Sequence, residues 1–149
     1  MPHFTLQNSP QGPVLNAYVG VSIARETALT SSGQPTPNPQ LIRALVDTGA
    51  SITSVDPSVL TALNLTATGN TLIHTPSTGN KPVPADLFDI GLLIPAASNN
   101  QSALIISILP VICAELLVAQ GFHALIGRDV LAQCLLIYNG TTKLFTICY

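Results

Sequence analysis

Short apolar runs separated by turn residues make up most of this 149-residue chain and limit the folds open to it. Residues 19–23 alternate apolar with small side chains, which is typical of a half-buried strand. Four further stretches have strand character, and prolines, glycines and polar residues separate them: 41–46, 71–74, 87–94 and 104–109. Many short strands at a spacing of about ten residues favour an all-β, closed barrel.

Two local patterns add detail to this β framework. Asp56-Pro57 combines an acidic cap with proline in the first turn, so a helix of up to two turns is expected over 58–65. Near the C-terminus, the apolar runs 134–138 and 142–147 flank Asn139-Gly140. That dipeptide predicts a β-hairpin with a type I′ turn.

The composition indicates which classes of partner the chain can bind. Only 8% of the residues are charged, against an average of about 25%, so much apolar surface needs a cover and a dimer interface would supply it. A net charge of −2 without a Lys/Arg cluster argues against nucleic acid and against an anionic membrane. The apolar stretch 103–119 carries Pro110 and Glu115 and is shorter than the roughly 20 residues of a membrane span. We interpret it as two buried strands that turn near Pro110.

Length and cysteine content predict the domain count and the compartment. A chain of 149 residues is expected to form one domain, residues 1–149, with its own core. Cys113, Cys134 and Cys148 are an odd number without a Cys-x-x-Cys spacing, which fits a reducing compartment. The first five residues lack the basic and apolar regions of a secretory signal. We therefore expect a cytoplasmic protein.

The residues most informative about chemistry follow the apolar strand 41–46. Asp47-Thr48-Gly49 is the only Asp-Thr-Gly in the chain, and Ala50-Ser51 comes next. At average residue usage, a bare triplet occurs by chance in about 3% of chains this long, so alone it is a weak signal. A second apolar strand, 124–126, runs into Gly127-Arg128-Asp129 and then a short helical pattern. The simplest alternative is an Asx-type turn at the end of a strand.

Together, the two segments resemble the retropepsin-like (retroviral-type) aspartic peptidases, over about residues 14–147. The resemblance implies an all-β, closed barrel with a flap hairpin and one short helix after the Gly-Arg-Asp segment. It also implies a homodimer, because bilobal pepsin-like relatives need roughly twice this length and a second triplet. It makes Asp47 the catalytic residue, in an active-site loop with Thr48, Gly49 and Ala50.

The resemblance further implies that Gly127, Arg128 and Asp129 support this loop. In retroviral relatives the arginine pairs with an acid two residues beyond the triplet, and here that position is Ser51. We therefore expect Arg128 to bind backbone carbonyls or Asp129, because a guanidinium has many donors to satisfy when buried. The alternative is a solvated charge at the start of a helix.

The stretch 72–82 lies where the family places its flap, a β-hairpin that covers a bound peptide. Gly79-Asn80 is suitable turn chemistry for the tip. A plain surface hairpin is the alternative. The residues that the resemblance assigns to the flap are Ile73, His74, Thr75, Pro76, Ser77, Thr78 and Gly79.

The implied chemistry needs neither a cofactor nor a metal. One carboxylate takes a proton from water while a second, protonated carboxyl donates to the peptide carbonyl. Two Asp47 side chains held together by a two-fold axis would share one proton and supply both roles. No zinc-ligand spacing links the three histidines and three cysteines. The other carboxylates are interpreted as caps, turns or solvated groups: Asp56, Asp86, Asp89 and Asp129.

These observations predict an aspartic endopeptidase that acts as a homodimer on a peptide or protein substrate bound in extended form. The alternative is a non-catalytic retropepsin-like dimerisation or peptide-binding module, which holds an extended segment by strand addition without cutting it. A third hypothesis is a self-processing protease embedded in a precursor.

Overall fold

The structure is a computed structural model that describes residues 1–74, 79, 81–98, 100–115 and 118–149. The described elements, in chain order, are β1 (His3–Gln7), β2 (Val14–Val21), α1 (Ile23–Ser31), β3 (Gln40–Val46), β4 (Ser54–Val55), α2 (Pro57–Ala62), β5 (Gly69–Ile73), β6 (Val83–Ile94), β7 (Leu104–Cys113), a single 3-10 turn (Val118–Gln120), β8 (Ala124–Ile126), α3 (Arg128–Leu131), β9 (Leu135–Asn139) and β10 (Leu144–Cys148). Within those ranges no helix combines the length and apolar character that crossing a bilayer requires.

Six of the strands close into a barrel, as the sequence predicts. The larger sheet has the order β2-β3-β8-β4-β7-β6-β5, and pairing of β2 with β6 closes the ring. Strand β6 is long enough to pair with β5 through its first half and with β2 through its second. The remaining three strands form a smaller sheet in the order β1-β10-β9.

Alternation along the strands produces one apolar core for both sheets. In β3, Ile42, Ala44 and Val46 point inward and are buried, while the residues between them are not. The same core cluster contains Phe4 of β1 and Phe145 of β10, which anchor the smaller sheet to the barrel. Burying each of these large side chains stabilises the fold by about 1.5–3 kcal/mol.

Helix α1 was not predicted, since the sequence indicated short helices only over 58–65 and after the Gly-Arg-Asp segment, where α2 and α3 are found. The strand expected over 19–23 ends at Val21, and the Ser22 side chain caps the new helix by accepting from the Arg25 amide. Only Leu29 of α1 is buried, so the helix lacks the apolar periodicity that would have revealed it. Helix α2 confirms the helix start predicted at Asp56-Pro57, since Asp56 Oδ1 accepts from the Ser58 amide at 2.9 Å.

The prediction of two strands turning near Pro110 is wrong. Strand β7 runs through Pro110, which pairs with Asp89 of β6. On its other edge, β7 pairs with β4 only at Ile112 and Cys113, so an unpaired edge is available where proline lacks its N–H.

The C-terminal hairpin is confirmed, but its type I′ turn is wrong. Asn139 pairs with Leu144, so the connection has the four residues 140–143. A type I′ turn needs positive φ at both central residues, whereas here Lys143 carries it, with φ 54°. The Asn139 side chain accepts from the Thr142 amide at 3.1 Å and so organises the longer turn.

Candidate active site

The candidate site begins where β3 and β8 end side by side. These strands are parallel, with Val46 opposite Ile126, and both side chains are buried. The backbone N–H of Asp47 donates to the carbonyl of Ile126 at 2.9 Å. The apolar strands therefore place Asp47 and the Gly-Arg-Asp segment next to each other, although about eighty residues of sequence separate them.

The Asp47 carboxylate is held by its own loop. Oδ1 accepts from the Gly49 amide at 2.8 Å, and the Ala50 amide donates to the Asp47 carbonyl at 3.2 Å. A Cβ at position 49 would lie 3.0 Å from Oδ1, so glycine lets the loop close this tightly. Asp47 is half-buried, so its carboxylate is fixed yet partly open to solvent.

Arg128 braces the loop from the other side. Its Nη1 donates to the Thr48 carbonyl at 2.7 Å and to the Gly49 carbonyl at 3.3 Å. Its backbone N–H donates to the Ala50 carbonyl at 2.9 Å. Three successive loop carbonyls thus bind one residue, through the backbone-carbonyl contacts expected from the sequence.

Thr53 joins the two halves of the site, and sequence reasoning missed it. Its backbone N–H donates to Asp129 Oδ2 at 2.8 Å, and its hydroxyl donates to Oδ1 at 2.7 Å. The hydroxyl oxygen also accepts from the Gly127 amide at 3.0 Å. Thr53 is almost fully buried, so its bond to the Gly127 amide forms away from water, while its two bonds to Asp129 are partly buried. Asp129 is therefore a structural acceptor rather than a solvated group.

Gly127 is required by close packing. A Cβ at this position would lie 2.8 Å from the carbonyl carbon of Ile52 and 3.0 Å from its oxygen. Because these are backbone atoms, they cannot move aside as a flexible side chain can. Any larger residue at position 127 would push the Gly-Arg-Asp segment away from the loop that Arg128 binds.

The flap prediction falls only partly on the described residues. Ile73 ends β5 and pairs with Val83 at the start of β6, so these strands form an antiparallel hairpin. His74 follows Ile73 and is exposed, and Gly79 has a φ of 59°, which suits a turn. The other predicted flap residues lie outside the described part of the chain: Thr75, Pro76, Ser77 and Thr78.

The described residues give no indication of a metal site or of a cysteine nucleophile. No group of three or more metal-ligating side chains occurs in the part of the chain that the structure describes. Burial raises the pKa of the Cys113 and Cys134 thiols, with smaller contributions from nearby negative charge. A cysteine nucleophile needs a lowered pKa, because the thiolate is the reactive form.

The comparisons with known proteins identify the family and the fold. A family model described as aspartyl protease matches residues 33–130, more than half of the chain and a range that includes both Asp47 and Arg128. This chain belongs to the aspartyl protease family. No curated protein matches it. The fold is similar to the crystal structure of a retropepsin-like aspartic protease from Rickettsia conorii, with a TM-score of 0.58 and 14% identity over 99% of this chain and 93% of that one. The predicted retropepsin-like fold is therefore confirmed.

We expect Thr53→Val to lower the free energy of unfolding by about 1–3 kcal/mol, because the buried Gly127 amide and an Asp129 oxygen each lose a partner. Urea denaturation followed by circular dichroism would measure this. Thr66→Val is the matched control, since Thr66 is exposed, and we expect its effect to stay within about 0.5 kcal/mol. Equal effects of the two changes would contradict the bridging role of Thr53.

Proposed function

We propose that the chain is an aspartic endopeptidase in which Asp47 residues from two copies activate one water molecule. The observation that carries the proposal is the braced Asp47 loop in a member of the aspartyl protease family. The Gly49 amide fixes one carboxylate oxygen, and Arg128 fixes the loop carbonyls. Hydrolysis gains most from groups that are already oriented before the substrate arrives.

The chemistry follows from one proton shared by two carboxyls. Two carboxyls side by side do not both ionise, so one is the base and the other the acid. The charged Asp47 takes a proton from water as the water oxygen attacks the peptide carbonyl carbon. The protonated Asp47 donates to the carbonyl oxygen and forms a tetrahedral diol. Collapse of the diol breaks the C–N bond: the leaving nitrogen takes a proton from the protonated carboxyl, and the charged carboxylate takes one from a diol hydroxyl. The pair then holds one shared proton again.

The proposal requires a second copy, because one chain supplies one Asp-Thr-Gly loop. Strand β9 offers a surface for that copy, since it is one of the two edge strands of the β1-β10-β9 sheet. It has no charged residue, and Leu135, Ile137 and Tyr138 are all at least half exposed. Unprotected edges of this kind invite pairing with another strand. An antiparallel β9–β9 contact about a two-fold axis would join the two sheets.

The position of β9 suits this role. Only three residues, 132–134, separate α3 from β9, and Arg128 at the start of α3 binds the Asp47 loop. A partner at this edge would therefore lie near the loop that needs it. In the same proposal, the β5–β6 hairpin closes over an extended substrate as a flap.

We expect Asp47→Asn to abolish peptide hydrolysis, because the amide cannot act as the base while its shape and one acceptor oxygen remain. A library of short peptides, analysed by mass spectrometry, would show the loss. Glu26→Gln, an exposed carboxylate-to-amide change on α1, should retain activity, because it lies outside both the Asp47 loop and the β5–β6 hairpin. Near-normal cleavage by the Asp47 variant would refute the dyad. If instead neither the parent chain nor any variant cut while peptides still bound, the protein would be a non-catalytic binding module.

We expect the specific activity to fall on dilution as dimers dissociate, and Ile137→Lys to move this fall to higher protein concentration. A lysine on each side of a β9–β9 contact would place like charges together. Sedimentation and activity should be measured over the same concentration range. Val118→Lys is the matched control, because Val118 is exposed to a similar extent outside the smaller sheet. Constant specific activity in a demonstrably monomeric sample would contradict the shared site.

We expect activity to peak at mildly acidic pH, because only the singly protonated pair contains both a base and an acid. Very low pH protonates both carboxyls, and high pH removes the shared proton. Ala50→Ser adds a hydroxyl donor beside the pair, which favours its charged form and should shift the profile to lower pH. A pH-rate profile on one peptide, with and without a chelator, would test both points. Full activity at alkaline pH together with chelator sensitivity would indicate metal chemistry instead.

A further inference from the structure

We propose that the outer face of the barrel carries a second binding surface, which takes a polypeptide segment with a large apolar side chain next to a lysine or arginine. The surface is a groove between helix α1 and strands β2, β6 and β7. It lies away from the candidate active site. Leu41, which adjoins it, is six residues before Asp47 on an extended strand, a separation of about 20 Å.

The first support is a row of apolar side chains that crosses four strands. Leu41 of β3 pairs with Tyr18 of β2, Tyr18 with Leu93 of β6, and Leu93 with Ile105 of β7. Leu41 and Ile105 are 60% and 64% exposed, and Tyr18 is 39% exposed. A barrel face in contact with water normally carries polar residues at such positions. An apolar row of this length indicates a contact surface.

The second support is a recess beside this row. The next outward-facing pair of β2 and β6 is Gly20 with Gly91, so neither strand contributes a side chain there. The ring of Pro39 lies 3.7 Å from the position that a Cβ on Gly20 would take. Ile23 and Glu26 of α1 form the opposite wall. The groove encloses about 210 Å³, which is less than the roughly 300–1,000 Å³ of small-molecule sites. It is therefore suited to one or two side chains of a polypeptide rather than to a cofactor.

The surrounding backbone leaves no room for a side chain at Gly91. A Cβ at position 91 would lie 2.9 Å from the carbonyl oxygen of Val21, where the pairing of β6 with β7 shifts register between Ile90 and Leu92. Because backbone atoms crowd this irregular part of the sheet, position 91 accepts only glycine and the groove stays open there.

Charge identifies the chemistry of the occupant. Glu26 is exposed, and the rest of the groove lining consists of apolar side chains, Tyr18, Ser107 and glycines. A carboxylate at the rim of an apolar groove complements a cation next to an apolar side chain. Tyr18 adds an aromatic ring on which a guanidinium can stack. Part of the role of Glu26 is local, because it lies in the first turn of α1 and favours the helix dipole.

The test uses two blocked peptides that differ in one residue, acetyl-Gly-Leu-Phe-Arg-Gly-amide and its counterpart with Glu in place of Arg. Nitrogen-15-labelled full chain carrying Asp47→Asn keeps the peptides intact during the titration. We expect amide shifts at Gly20, Gly91 and the apolar row. The Arg peptide should bind about threefold more tightly than the Glu peptide, the size of an exposed ion pair.

Three variants separate the contributions. Glu26→Gln should remove the preference for the Arg peptide. Ile105→Ser should lower the affinity of both peptides by about fivefold, because apolar contact is lost. Ile108→Ser is the matched control on β7, since Ile108 is also exposed but does not line the groove, and its affinities should stay unchanged.

Shifts confined to residues 47–50, or no shift at Gly20 and Gly91 at saturating peptide, would overturn the proposal. Equal binding of both peptides would overturn the basic occupant. Shifts at the groove that grow with protein concentration without peptide would replace that occupant with a second copy of the chain. These outcomes do not depend on catalysis, so they are distinct from failure of the proposed function.

Discussion

The parallel pairing of β3 with β8 is the constraint on which the site depends. It brings the end of an early strand beside the end of a late one, with Val46 opposite Ile126. Because the paired residues 44–46 and 124–126 are all apolar and mostly buried, the pairing is set by the core rather than by the polar residues that follow. The loops after both strands then meet at one edge, where Arg128 binds the carbonyls of the Asp47 loop.

The low charge content of the chain corresponds to specific surfaces of the fold. One is the β9 edge, with Ile137 near its centre, and another is the row from Leu41 to Ile105 across the barrel. The row lies on strands whose inward residues fill the core, whereas on β9 only Leu136 packs against the core. One core therefore does not bury all the apolar side chains. Two contact surfaces would cover those that remain exposed without any change in the barrel.

Much of the fold and part of the site follow from the sequence, and the exceptions have physical reasons. Strand alternation predicted the barrel because one face of each strand is buried. Helix α1 was missed because it buries only Leu29, and the course of β7 was missed because an unpaired edge accommodates Pro110. Arg128 was predicted from a motif. Thr53 was not, because its partner Asp129 lies 76 residues away and nothing in its local sequence marks the contact.

The brace between Arg128 and Asp47 has an electrostatic consequence. The Thr48 carbonyl that accepts from Arg128 and the Gly49 N–H that donates to Asp47 belong to the same peptide group. A cation at the oxygen end of a peptide polarises it and strengthens donation at the nitrogen end. One amide therefore transmits the positive charge of the guanidinium to the carboxylate. Arg128 can stabilise negative charge on Asp47 without touching it.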